Sequence, residues 1–293
     1  MKLKDIKEIF WQELEPLYPR EEVNNFFHRL VEHYLGLDRF ILALDPGYRI
    51  AKIEEQPLFL ALAQLKEEYP LQYILGTAYF MDLEFHVNDQ VLIPRPETEE
   101  LVRWILADLP CMPDSPAILD VGTGSGCIAI SLAKYWPAAR VTALDISPAA
   151  LETARKNAVR QAVNIDFVQA DILTNYSPVT KWDIIVSNPP YVRESEKDAI
   201  RNNVKRYEPA SALFVPDDSP LLFYEHIARL ASRSLKAGGA LYLEINQYMG
   251  TDTLNLLQAQ NFLEIELRKD MFDNQRMLKA IMPFNPAAGR HGS

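Results

Sequence analysis

The sequence predicts an α/β protein: a mostly parallel sheet with helices on both faces, preceded by a small helical bundle and a β-hairpin linker. Three observations point there. Residues 1–75 place apolar side chains at three- and four-residue steps, with no strand alternation. Short β runs lie close together in residues 76–93. From residue 94 to 283, short apolar strands alternate with helical stretches. That alternation implies a parallel sheet covered on both faces, and ligands of such sheets collect at the carboxyl ends of the strands.

In the bundle, Leu3, Ile6, Phe10, Leu14 and Leu17 form one stripe, and Val23 to Tyr34 form a second that stops at Gly36. Leu58 to Leu65 gives a third helix, with Pro57 expected in its first turn. Thr77 to Met81 and Leu83 to Val87 make the hairpin. The first parallel strand is Ala117–Val121, followed by a helix over Ile128–Tyr135 and a strand over Arg140–Leu144. Ser147-Pro148 starts the next helix, because serine caps free amides and a proline at the first helical position loses no bond. Ile165–Val168 and Asp183–Val186 are strands, Leu221–Leu235 a helix closed by Gly238-Gly239, and Ala240–Ile245 a strand. Phe262–Leu267 and Met277–Ile281 supply the last two strands, and 284–293 is a flexible tail.

The chain has 293 residues, 48% hydrophobic and 24% charged, which suits one large or two modest domains. A net charge of −10 argues against a phosphate backbone as the main partner. The two cysteines, Cys111 and Cys127, lack metal or disulfide spacing, so a reducing compartment and no metal are expected. The charged N-terminus lacks a signal-peptide core, and no stretch reaches the ~20 apolar residues of a membrane span. The expectation is a cytoplasmic protein without membrane contact.

Asp120-Val121-Gly122-Thr123-Gly124-Ser125-Gly126 follows the first parallel strand. Glycines there let a ligand approach the main chain, and the next helix aims free amides at it. A dinucleotide fingerprint would need glycine at position 127, where this chain has Cys127. An acid beside the loop suits a ligand with an ammonium or sulfonium charge, and S-adenosyl-L-methionine has both. Asp145, ending the next strand, can accept hydrogen bonds from a ribose diol. Asp171, ending the third, is placed for the amine of adenine, with Ile172 against the ring.

Ser187-Asn188-Pro189-Pro190-Tyr191 ends the fourth parallel strand at the same rim. The prolines hold a rigid turn. The Asn188 side-chain oxygen and the Pro189 carbonyl can together hold both hydrogens of a planar NH₂ group. That aims the nitrogen lone pair at a methyl donor and stabilises the positive charge growing on it. Tyr191 can stack on the plane.

This signature is typical of methyltransferases that act on planar nitrogen. Within them the chain resembles, over nearly its whole length, the HemK family of bacterial peptide-chain release factor glutamine methyltransferases. The resemblance is carried by Gly122 to Gly126, by Asn188 to Tyr191 and by Leu92-Ile93-Pro94-Arg95-Pro96-Glu97-Thr98-Glu99. Tyr207-Glu208-Pro209-Ala210-Ser211-Ala212-Leu213 and Asp270 to Arg276 add to it. It implies an S-adenosyl-L-methionine-dependent methyltransferase sheet of Rossmann type. The expected reaction is methyl transfer to the side-chain amide nitrogen (N5) of glutamine in the Gly-Gly-Gln motif of class 1 release factors, with S-adenosyl-L-homocysteine as product. Gly122, Thr123, Gly124, Ser125, Gly126, Asp145, Asp171, Ile172 and Asn188 would hold the cofactor. Asn188, Pro189, Pro190 and Tyr191 would hold the glutamine, with Asn188, Pro189 and Tyr191 in the catalytic role. Arg95 to Glu99 would border the methionine end, and residues 1–75 would dock the protein substrate. Two departures stand out: Met271-Phe272 replaces a usual Tyr-Gly-like pair, and Glu244 is followed by Ile-Asn rather than His-Gly. The alternatives are a ribosomal-protein glutamine methyltransferase with the same chemistry, a DNA adenine N6-methyltransferase, and a cofactor-binding module without activity. The acidic balance and the absence of an added basic domain oppose the DNA enzyme. The intact Asn188–Tyr191 set opposes the inactive module.

Overall fold

Apolar stripes and alternating strands organise the chain into two compact units: residues 1–77 with 201–207, and residues 78–200 with the chain from Glu208 onward. The computed structural model describes residues 1–109, 112–174 and 176–284. Cys111 and residues 285–293 of the expected tail lie outside them.

The first unit is helical. Helix α1 (Leu3–Leu14) buries Leu3, Ile6, Phe10 and Leu14, and α2 (Arg20–Leu35) buries Val23, Phe26, Phe27, Leu30 and Val31. The rings of Phe10 and Phe27 meet edge to face at 5.3 Å, the arrangement that ring quadrupoles favour. Gly36, at φ +64°, ends α2 in the left-handed turn that glycine adopts most readily. After a short α3 (Ile41–Leu44), α4 runs over Lys52–Lys66. Pro57 therefore lies inside α4, not in its first turn as expected. Its missing N–H leaves the Ile53 carbonyl without a helical donor, at an exposed position where water satisfies it cheaply. Helix α5 (Leu71–Leu75) ends the run.

The second unit opens with the hairpin β1 (Thr77–Phe80) and β2 (Leu83–His86), followed by α6 (Pro96–Ala107). Then come β3 (Ala117–Val121), α7 (Cys127–Tyr135), β4 (Arg140–Asp145), α8 (Pro148–Gln161), β5 (Asp166–Gln169) and β6 (Trp182–Ser187). Segment 192–219 holds the short paired strands β7 (Val192–Arg193) and β8 (Phe214–Val215), and between them α9 (Asn202–Tyr207), which belongs to the first unit. Helix α10 (Leu222–Ser234), β9 (Leu235–Glu244), α11 (Gly250–Ala259), β10 (Leu263–Lys269) and β11 (Gln275–Ile281) complete the fold. Gly238 and Gly239, expected to close a helix, lie within β9.

The main sheet has seven strands in the order β10-β11-β9-β6-β3-β4-β5. From β9 to β5 it is parallel, and β11 runs antiparallel between β9 and β10. All five residues of β3 are buried: Ile118 packs on one face with Ile130 and Trp104, Leu119 on the other with Ile185 and Ile227. This is why β3 reads as a continuous apolar run and not as an alternation. The hairpin is fastened to α8, where Asn157 Oδ1 accepts from His86 N–H (2.6 Å) and Asn157 Nδ2 donates to the His86 carbonyl (2.9 Å).

Candidate active site

Val121 stands opposite Leu144 on β4 and Ser187 on β6 in parallel register. The chain therefore leaves three central strands at one edge, with Gly122, Asp145 and Asn188 emerging side by side. A cavity of about 450 Å³ opens there, within the range of small-molecule sites. Of the residues expected to act, Gly122, Thr123, Gly124, Ser125, Asp145, Asp171, Ile172, Asn188, Pro189 and Pro190 line it. Gly126 and Tyr191 do not.

Gly122 and Gly124 have φ of +75° and +55°, and a Cβ on either would meet no protein atom within 4 Å. Their free side is what a ligand pressed against the main chain requires. Gly126 differs: a Cβ there would lie 2.8 Å from Ile130 Cδ1 and 3.1 Å from Ala154 Cβ, so this glycine permits close packing of α7 and α8. The loop is tied to β4, since the Leu144 carbonyl accepts from Gly122 N–H (2.8 Å) and Thr123 N–H (3.0 Å).

Asp120, expected to flank the ligand, is fully buried under the loop. Its Oδ2 accepts from Thr123 Oγ1 (2.7 Å) and Ala129 N–H (3.2 Å), which joins the loop to α7. Its Oδ1 is buried with no hydrogen-bond partner among the described residues. Burial pushes the Asp120 carboxyl up to about 7. Asp145 Oδ1 accepts from Ser147 N–H (2.9 Å) and Oδ2 from Gly124 N–H (2.8 Å). Burial raises this carboxyl too. A carboxylate has roughly four acceptor positions, so about two remain for a diol. Asp171 Oδ1 accepts from Leu173 N–H (2.8 Å) beside the cavity wall formed by Ile172. The open glycines, the spare lone pairs of Asp145 and the unpartnered Oδ1 of Asp120 beneath the loop fit a nucleoside carrying a positive charge. Cys127 also lines the cavity, but burial pushes its thiol up to about 12, so it is no nucleophile.

Asn188 Nδ2 donates to Thr98 Oγ1 (3.1 Å), and Thr98 Oγ1 donates to Glu244 Oε2 (2.6 Å). Tyr191 Oη donates to Glu244 Oε1 (2.9 Å) and lies 3.4 Å from Arg276 Nη1. Arg276 is held in turn by Asp270, Nε to Oδ2 at 3.1 Å. Burial raises the Glu244 carboxyl, and burial together with the Glu244 charge raises the Tyr191 phenol. Glu208 spans Ile93 N–H (3.0 Å, to Oε2) and the Arg95 guanidinium (2.5 Å, to Oε1). It thereby fixes the strand-like entry to α6 along the cavity. Thr98, Glu244 and Glu208 are polar groups at most 5% exposed, and sequence reasoning gave them no role of their own. The sequence signals were the presence of Thr98 and Glu208 in two of the resembling stretches, the place of Thr98 within the Arg95–Glu99 segment set beside the methionine end, and the departure from the resembling pattern just after Glu244.

Residues 102–207 match the family described as Methyltransferase small domain, and residues 19–76 match the PrmC N-terminal domain. The chain is 47% identical over 281 residues to a release factor glutamine methyltransferase of Flavobacterium psychrophilum, covering 95% of this chain and 99% of that one. It is 42% identical over 270 residues to a protein of the same name from Bacteroides thetaiotaomicron, covering 92% and 96%. Among solved structures, a methyltransferase from Pyrococcus furiosus aligns with TM-score 0.50 at 16% identity, covering 80% of this chain and 100% of that one. A Thermus thermophilus 16S rRNA N2 G1207 methyltransferase in complex with AdoMet and guanosine aligns with TM-score 0.51 at 19% identity, covering 70% and 49%. These two likenesses show the fold. No helix among the described residues is long and apolar enough to cross a membrane.

Proposed function

The chain belongs to the release factor glutamine methyltransferase family, and on that premise we propose that it methylates the side-chain amide nitrogen of glutamine in the Gly-Gly-Gln motif of class 1 release factors. S-adenosylmethionine, when bound, supplies an electrophilic methyl carbon on a sulfonium. Gly122 to Ser125 would carry its methionine part, Asp145 would hold its ribose diol, and Asp171 with Ile172 would hold its adenine. The Asn188 side-chain oxygen and the Pro189 carbonyl accept the two amide hydrogens of the glutamine, and the rigid Pro189-Pro190 turn holds that geometry. The bound cofactor would supply its methyl group to that amide nitrogen and would keep the electron pair of the carbon–sulfur bond on sulfur. Positive charge on nitrogen is stabilised by the two acceptors, and the proton then leaves to solvent. Tyr191 supports this from behind the turn, with its hydroxyl on Glu244. The helical unit docks the body of the protein substrate.

The observation that carries this reading is the convergence of Asn188, Pro189 and the open glycine loop on one cavity. Incubation with methyl-labelled cofactor and a panel of release factors, ribosomal proteins and DNA tests it. Label on the Gly-Gly-Gln glutamine, located by mass spectrometry, is the expected result. Label on a ribosomal protein or on DNA alone rejects it.

A further inference from the structure

Resting on the reading above, we propose that Thr98, backed by Glu244, is a positioning residue that fixes which way round the Asn188 carboxamide faces, and so restricts the cavity to methyl acceptors that present an NH₂ group. An asparagine side chain is nearly symmetric in shape but opposite in polarity at its two ends. Turned one way, it offers an acceptor to the cavity; turned the other, it offers two donors and repels an amide nitrogen. The reaction needs the first arrangement, and Asn188 alone does not choose it.

The surrounding polar groups do. Arg276 has donors only, so the Tyr191 oxygen beside it receives, and the Tyr191 proton turns to Glu244 Oε1 (2.9 Å). Glu244 accepts again at Oε2, where Thr98 Oγ1 stands at 2.6 Å; burial raises this carboxyl while the Arg276 charge opposes that rise, and in the ionised form both of its oxygens only accept. Thr98 has one proton, and it is committed to Glu244. What Thr98 shows to Asn188 is therefore a lone pair, and only the NH₂ end of Asn188 can meet it, at 3.1 Å. Asn188 Oδ1 is left to the cavity that both Thr98 and Asn188 line. Thr98 and Glu244 are 2% and 1% exposed, so water cannot substitute for either partner. The same polarity disfavours a glutamate in place of the glutamine, since a carboxylate would bring oxygen against oxygen.

Thr98→Val keeps the shape and removes the hydroxyl; Thr98→Ser restores it. In Thr98→Val, kcat on a Gly-Gly-Gln substrate should fall at least ~10-fold, as when one aligned transition-state hydrogen bond is lost. Cofactor affinity should fall by a smaller factor than kcat, because Thr98 only borders the methionine end while the loop and Asp145 are untouched. Thr98→Ser should recover kcat to within about 3-fold of wild type. A Thr98→Val enzyme with wild-type kcat, or a loss that Thr98→Ser does not repair, overturns the proposal. A loss expressed only as weaker cofactor binding does the same. The orientation itself is read in the wild-type full chain by nuclear Overhauser contacts from the Asn188 carboxamide protons to the Thr98 side chain. Their presence supports the assignment and their absence overturns it, whatever the methyl acceptor proves to be. Failure of the wild-type chain to methylate glutamine would strike the proposed function and leave that spectroscopic test standing.

Discussion

A buried carboxylate oxygen with no partner is expensive, and Asp120 keeps one directly beneath the glycine loop. Burial sets its carboxyl at about 7 against an ordinary value of 3.8. The folded state therefore takes up this proton more readily than the unfolded state, and stability falls as pH rises from about 4 to about 7. A cation held above the loop would favour the charged form and expel the proton. Cofactor binding at pH 7 should then release a fraction of a proton, seen as different calorimetric heats in phosphate and Tris buffers. The difference should vanish in Asp120→Asn. If it survives, the proton belongs to Asp145; if wild type shows none, the cation does not reach the field of Asp120. The sequence reading placed this acid beside the ligand because position along the chain fixes which loop a residue enters but not which face of the strand end it occupies. Asp145 and Asp171, each one strand farther out, do reach the cavity.

Among the elements, the hairpin carries the most evident strain. Met81 and Asp82 form its two-residue turn at φ +50° and +58°, a region that costs a non-glycine residue ~1–2 kcal/mol. The turn is held by groups far along the chain: Glu99 Oε1 accepts from Met81 N–H (2.9 Å) and Tyr135 Oη donates to the Met81 carbonyl (2.5 Å). Asp82 is exposed and Met81 is 4% exposed, so the same substitution should act oppositely at the two positions. Asp82→Gly should stabilise the protein by about 0.5 kcal/mol through relief of the backbone. Met81→Gly should destabilise by about 2–4 kcal/mol because the lost burial exceeds that relief. Urea midpoints at constant m-value measure both, and equal signs would show that backbone strain is not what distinguishes them. The β runs flanking this turn were legible from composition, but its chemistry was not, for no glycine or asparagine marks it. The parallel strands were legible for the opposite reason, since burial on both faces leaves an apolar run that needs no partner to identify it. The Asn188–Thr98–Glu244 chain was invisible because its members lie 90 and 146 positions apart and meet only through the sheet order.

At the scale of the molecule, the chain passes between the two units at residues 77/78, 200/201 and 207/208. Tyr207 belongs to the helical unit, where its hydroxyl donates to the Glu67 carbonyl (2.6 Å) and its ring meets Tyr69 at 5.0 Å. Its neighbour Glu208 belongs to the sheet unit and clamps Ile93 and Arg95. Nothing in the local pattern of Tyr207-Glu208 announces that division, which arises from which side chain each core receives. It also makes removal of residues 1–75 a poor test of docking, because Arg201–Tyr207 would lose its partners and disturb Glu208 with it. Charge placed on the exposed surface of the helical unit avoids this. Ile53 and Leu60 are 75% and 60% exposed and lie two turns apart on one face of α4, apolar groups the unit does not bury for itself. Ile53→Glu with Leu60→Glu should leave the melting temperature and the turnover of a short Gly-Gly-Gln peptide near wild type. Turnover of an intact release factor should drop about 10-fold or more if this face meets the substrate, the scale of losing a central apolar contact. A parallel drop on the peptide would mean that the substitutions reach the cavity. An unchanged rate on the intact factor would mean that the substrate docks on another face of the helical unit or on the sheet unit alone.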